Sequence, residues 1–154
     1  MKLNFFLTLS ICLFFFGCDN KKIQNPNCLA VINTLDLKFN IVDRESKKDL
    51  FFTEGAAYQI SDLKIYKTSD IKHEQSLKIE VEGEPGRKNF SIKLDGDLIT
   101  KEGSLDLLIG NAIKHRLNYT VLTEKKPCPE YKFDQIKFDQ TVVTSNTGIY
   151  MLTN

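Results

Sequence analysis

Apolar residues recur at every second position in several short runs of this chain. From Asn33 onward, Leu35, Leu37, Phe39 and Ile41 fall on one side and Asp36, Lys38 and Asn40 on the other, the period of a half-buried strand. The alternation returns at Leu77, Ile79 and Val81 against Lys78, Glu80 and Glu82, and at Phe90, Ile92 and Leu94 against Ser91 and Lys93. Gly83-Glu84-Pro85-Gly86 lies between these runs and predicts a hairpin turn. Further strands are expected at Tyr58 to Lys67, at Ile113 to Thr123 with Leu117, Tyr119 and Val121 inward, at Tyr131 to Phe138, and from Val142 to Leu152. Asn146-Thr147-Gly148 breaks the last of these into a final hairpin.

Residues 104–116 fit two periods. Leu105, Leu108, Ile109, Ala112 and Ile113 form a helix face behind a Ser104 N-cap, whereas Leu105, Leu107 and Ile109 form a strand ended by Gly110-Asn111. Glycine inside a helix costs about 1 kcal/mol relative to alanine, and the alternation after Ile113 needs a partner strand, so a hairpin is expected. The near-duplicate KFDQIKFDQ, Lys132 to Gln140, repeats at a spacing of five residues. An odd spacing flips the strand face and points to a bulge or a coincidence. Seven to nine short strands punctuated by Gly, Asn, Asp and Pro predict an antiparallel β-sandwich, immunoglobulin-like or transthyretin-like, with a partly open β-barrel as the alternative.

The amino-terminal segment has another character. Lys2 precedes an apolar stretch from Leu3 to Phe16, then Gly17, Cys18 and the polar run Asp19-Asn20-Lys21-Lys22. This is the layout of a secretory signal, and the stretch falls short of the roughly 20 apolar residues that span a bilayer. Gly17-Cys18 resembles the lipobox of bacterial lipoproteins. Phe15 and Phe16 depart from its usual residues in the manner of the looser lipoboxes of Bacteroidota. The resemblance implies that residues 1–17 are a signal peptide and that Cys18 becomes the lipidated amino terminus. Several acyl chains on Cys18 would give stable anchoring where one gives only marginal binding. Residues 18–27, polar and containing Pro26, then read as a tether, and residues 28–154 as one domain.

FNIVDRESKKDLFF, Phe39 to Phe52, together with Cys28 and Cys128, resembles the opening of small uncharacterised single-domain lipoproteins of Bacteroidota. That likeness implies a β-sandwich without an assigned chemistry. An export signal places Cys28 and Cys128 in an oxidising compartment. An intramolecular disulfide is expected, against the alternatives of two unrelated thiols or a link to a second molecule.

Charge excludes one class of partner. Loss of residues 1–17 removes Lys2 and leaves twenty basic against twenty acidic side chains. The pairs Lys21-Lys22, Lys47-Lys48 and Lys125-Lys126 are scattered among acids and read as solvated surface, so no nucleic acid is expected as partner. The domain is long enough to bury roughly two-thirds of its unfolded surface in one core.

No motif for catalysis or metal binding stands out. The two histidines are His73, expected in an exposed loop within SDIKHEQS, and His115, on the inward parity of a strand. Neither belongs to a zinc-ligand spacing. Gly103-Ser104-Leu105 lacks the nucleophile elbow of a hydrolase and reads as a turn. Asp95 and Asp97 around Gly96 lack the ligand series of an EF-hand loop and also read as a turn. The five tyrosines, Tyr58, Tyr66, Tyr119, Tyr131 and Tyr150, read as half-buried packing residues, and tryptophan is absent. The expectation is therefore a non-catalytic module without cofactor or metal, lipid-anchored in the bacterial envelope, with the outer membrane taken ahead of the inner. It would contact an envelope protein or a glycan. The alternative is a small hydrolase built from dispersed carboxylates and a histidine, which requires His73 or His115 to converge with an Asp in one pocket.

Overall fold

The computed structural model describes residues 34–110, 113–125 and 128–154. Its strands are β1 (Thr34–Val42), β2 (Leu63–Lys67), β3 (Ile79–Glu82), β4 (Asn89–Asp95), β5 (Glu102–Ile109), β6 (Ile113–Lys125), β7 (Pro129–Phe138), β8 (Thr141–Val143), β9 (Ser145–Asn146) and β10 (Ile149–Thr153). They form two five-stranded sheets. Sheet A has the order β3-β4-β1-β10-β9 and sheet B the order β2-β5-β6-β7-β8. Every pairing is antiparallel except β1 with β10, which run parallel with Ile41 beside Leu152. The sheets stay open and separate, so the β-sandwich holds and the barrel alternative does not.

The alternation read from the sequence decides which face each sheet buries. Leu37, Phe39 and Ile41 of β1 and Phe90, Ile92 and Leu94 of β4 meet Leu105, Leu107 and Ile109 of β5, and Leu117, Tyr119 and Val121 of β6, in one core. Complete burial of a large aliphatic or aromatic side chain contributes about 1.5–3 kcal/mol, so these rows are the principal stabilising term. Phe51 and Phe52 of the β1–β2 connection close one end of the core, packing on Phe90 with ring centroids 5.1 and 4.7 Å away. Asp49 holds them there by accepting the Phe51 and Phe52 amides at 2.8 and 2.7 Å.

Turns follow the residues expected of them. Arg87 N donates to Glu84 O at 2.9 Å, and Gly86 has φ of +85°. With Pro85 before that glycine, this is the arrangement of a type II turn. The segment that fitted two periods is strand: β5 pairs antiparallel with β6, Leu105 opposite Leu117 and Ile109 opposite Ile113. Thr147 and Gly148, both at positive φ, make the two-residue turn of the final hairpin, where Ile149 pairs with Asn146.

Two expectations need correction. The strand expected from Tyr58 begins only at Leu63, because Asp62 Oδ2 accepts the Gln59 amide at 2.8 Å and winds Ile60–Asp62 into a 3₁₀ turn. Ser104 is not in a turn: it lies inside β5, opposite Asn118. The odd-spaced KFDQ repeat is a bulge. Thr120 pairs with Gln135 and Val121 with Phe133, so Asp134 is an extra residue in β7. That extra residue brings Phe133 and Phe138 to the same inner face. The second Asp-Gln, Asp139 and Gln140 at φ of +45° and +69°, forms the tight β7–β8 turn.

Candidate functional site

The outer face of sheet B carries an ordered polar layer. Asp106 of β5 stands between Tyr66 of β2 and Arg116 of β6 in register, yet it is only 3% exposed. Arg116 donates to its Oδ1 through Nε and Nη2, both at 3.1 Å, and Lys114 Nζ lies 3.1 Å from its Oδ2. His73 Nε2 is 3.4 Å from the same oxygen, and the His73 ring stacks on Tyr66 with centroids 4.6 Å apart. Burial pushes the Asp106 carboxyl up, but its bonds to Lys114, His73 and Arg116 together outweigh that and hold it below the usual carboxylate range.

His73 was expected in an exposed loop, and the structure corrects this. The β2–β3 connection folds back over sheet B, with His73 N donating to Asp70 O at 3.0 Å and Leu77 N to Ile65 O at 2.7 Å. The ring thereby covers Tyr66 and Asp106. His115 occupies the inner face as its parity predicts, packed on Phe138 with centroids 4.8 Å apart. Its Nδ1 meets Asp139 Oδ2 and its Nε2 meets Asn154 Oδ1 at 2.9 Å. Asp139 also accepts the Arg116 amide at 2.9 Å, so this group ties the β7–β8 turn to β6 and the end of β10. The two histidines lie on opposite faces of sheet B, each with its own aspartate, and do not converge.

Beside the Asp106 cluster runs an open groove of about 470 Å³, lined by Glu102, Ser104, Asn118, Thr120, Gln135 and Lys137 with Gly103 and Tyr119 beneath. Thr68 Oγ1 donates to Ser104 Oγ at 3.1 Å, and Ser104 Oγ donates to Asn118 Oδ1 at 2.9 Å. This chain of bonds holds the Asn118 amide through its Oδ1. The side chains of Gln135, Lys137 and Glu102 have no protein partner among the described residues. The floor is rigid: the Tyr119 ring lies across Gly103, where any Cβ would collide with it. Tyr119 Oη donates to Leu98 O at 2.8 Å. Burial first, and the Asp97 charge second, push its phenol up to about 12, so it stays a proton donor.

Asp97 pairs with Lys67 at 2.9 Å in the 3₁₀ turn Gly96–Leu98, and Asp95 ends β4, as the turn reading expects. Tyr66 and Tyr119 are buried, and Tyr58, Tyr131 and Tyr150 pack against the core. Cys128 is disulfide-bonded; Cys28, its expected partner, and the lipidation candidate Cys18 lie outside the described residues. Among the described residues no group of His, Cys, Asp and Glu is arranged to hold a metal ion, and no helix is long and apolar enough to cross a membrane. Asp106, Asn118, Gln135 and Asp139 had no sequence signature. Alternation marked Asp106 as outward, where Arg116 and Lys114 of β6 and His73 of the returning loop converge on it. No protein-family model, curated protein or solved structure matches this chain.

Proposed function

We propose that this protein is a lipid-anchored module of the bacterial envelope that binds a polar ligand, a glycan or the polar surface of an envelope protein, in the groove on the outer face of sheet B. The observation that carries the reading is the convergence there of Asn118, oriented by Ser104, with Gln135, Lys137 and Glu102, whose side chains have no protein partner among the described residues. Amides, a cation and a carboxylate in one concavity supply the orienting contacts of a binding site. The hydrolase alternative has less support, because each histidine is committed to its own aspartate and its own face.

Anchoring rests on the Gly17-Cys18 junction. It predicts that Cys18→Ala leaves an unprocessed, unacylated precursor, read by mass spectrometry of the protein from its native membrane. A Cys28 to Cys128 disulfide completes the proposal, and non-reducing peptide mapping reads it directly. The binding function is tested by crosslinking the full chain in its envelope beside a glycan array. The bound species should be lost in an Asn118→Ala/Gln135→Ala variant that folds normally. Turnover of a polysaccharide or peptide, abolished by changing His73 or His115, would replace this reading by the hydrolase.

A further inference from the structure

The opposite face of the sandwich holds a second concavity. It lies on the outer side of sheet A, has a volume of about 480 Å³, and is bounded by the β1–β2 connection, the β3–β4 turn and the β9–β10 turn. Lys47, Arg87 and Lys88 come to it from separate segments, and Asp49 is the one carboxylate among the lining residues. Asp49 is already committed: its Oδ1 accepts two backbone amides and its Oδ2 accepts Asn40 Nδ2 at 2.5 Å. Among the described residues no carboxylate pairs with Lys47, Arg87 or Lys88, whereas Lys38, on the same sheet, is paired with Glu82 at 2.7 Å. These three cations therefore stand beside Met151, 43% exposed, and the half-buried Phe52 and Ile149. Lys47 is also held at φ of +58°, a conformation that a non-glycine residue adopts at a cost.

We propose that this depression binds an acidic glycan, its carboxylates meeting Lys47, Arg87 and Lys88 while sugar rings lie on Met151 and its apolar neighbours. The position on the sheet selects among anions. The floor is built from β1 and β10, and β1 is paired on both sides, with β4 and with β10. An acidic peptide could add no strand there. The depression lies at the Val42 end of β1, away from Thr34, where the described chain enters the sheet, and competition by a soluble lipid headgroup separates a membrane surface from a glycan in the test. The overall balance of 21 basic and 20 acidic residues provides no basic stripe for a longer polyphosphate to follow.

The experiment is a calorimetric titration of the full chain in mild neutral detergent with oligogalacturonate, at low and at physiological salt. Binding is expected, weaker at the higher salt, and absent for a neutral oligosaccharide of equal length. Each removed charge should weaken it about two- to fivefold, the range of an exposed ion contact. The variants are Lys47→Gly, Arg87→Ala and Lys88→Ala, singly and together. Lys47→Gly suits the positive φ, and an unchanged circular dichroism spectrum of each variant separates loss of affinity from misfolding. Lys64→Ala, on the exposed side of β2, and Asn118→Ala, in the other groove, should leave the titration unchanged, which separates this site from the one proposed on sheet B. Unchanged binding by the triple variant overturns the proposal. So does equal binding of the neutral sugar or of polyglutamate, or displacement by an equal concentration of the soluble headgroup glycerophosphoglycerol.

Discussion

Gly103 and Tyr119 show how tightly single residues are specified. Tyr119 reaches across the neighbouring strand to the Leu98 carbonyl because Gly103 has no Cβ in its way. Gly103→Ala should therefore cost about 1–3 kcal/mol by overpacking. Tyr119→Phe should cost about 1–3 kcal/mol by leaving the Leu98 carbonyl without its partner. Urea unfolding of each variant measures both. Asp106 gives a pH signature. Its folded-state carboxyl is held below its ordinary value by Lys114, His73 and Arg116 against burial, so its contribution is fully present above that ordinary value. The contribution is lost as pH falls through the depressed folded value. Asp106→Asn should cost about 1–3 kcal/mol near neutral pH, and the difference from the parent should shrink as pH falls below 4. Urea midpoints between pH 2.5 and 7 give the curve; a constant difference would show that the charge of Asp106 is not what matters.

At the scale of elements, β7 carries the clearest test. Its bulge exists because Phe133 and Phe138 are separated by an odd number of positions and both turn inward. Deleting Asp134 removes the extra residue and leaves both rings on the inner face. That variant should fold, with a straighter β7. Deleting Lys137 keeps the bulge but moves Ile136, now 1% exposed, to the solvent side, together with every residue upstream in the strand. It should fail to fold cooperatively. Circular dichroism and thermal unfolding distinguish the two. At the adjoining turn, Gln140 sits at φ of +69°, so Gln140→Gly should raise stability by about 0.5–1 kcal/mol, the strain relieved exceeding the added freedom of the unfolded chain.

For the molecule as a whole, the parallel pairing of β1 with β10 joins the first described strand to the last. Sheet A is completed only when β10 meets β1, so contacts of high sequence separation join its β3–β4 and β9–β10 hairpins. The proposed Cys28 to Cys128 disulfide would add to the same closure. The chain-entropy limit is ~4.7 kcal/mol for a loop of that length. Reduction should lower the unfolding free energy by about 2–5 kcal/mol, read as a shift in the denaturant midpoint with and without reductant. Two concavities lie on opposite sheets, one of mixed polarity and one basic.

The local pattern was sufficient for most of the fold. Alternation placed the core rows of β1, β4, β5 and β6, and Gly, Pro and Asn marked the turns, because strand face and turn conformation depend on neighbouring residues. The odd spacing of the KFDQ repeat allowed a bulge or a coincidence, and the pairing of β6 with β7 decided for the bulge. Alternation could not place Ser104 inside a strand, trim the segment from Tyr58 to Leu63, or bring His73 onto Asp106. Those outcomes depend on which segment returns over which sheet, as do the Asn118 groove and the meeting of Lys47 with Arg87 and Lys88. Hydrophobic period is a property of adjacent residues and survives in one dimension. A site joins side chains distant in sequence, and its chemistry comes into being only when the sheets pack and the connections fold back over them.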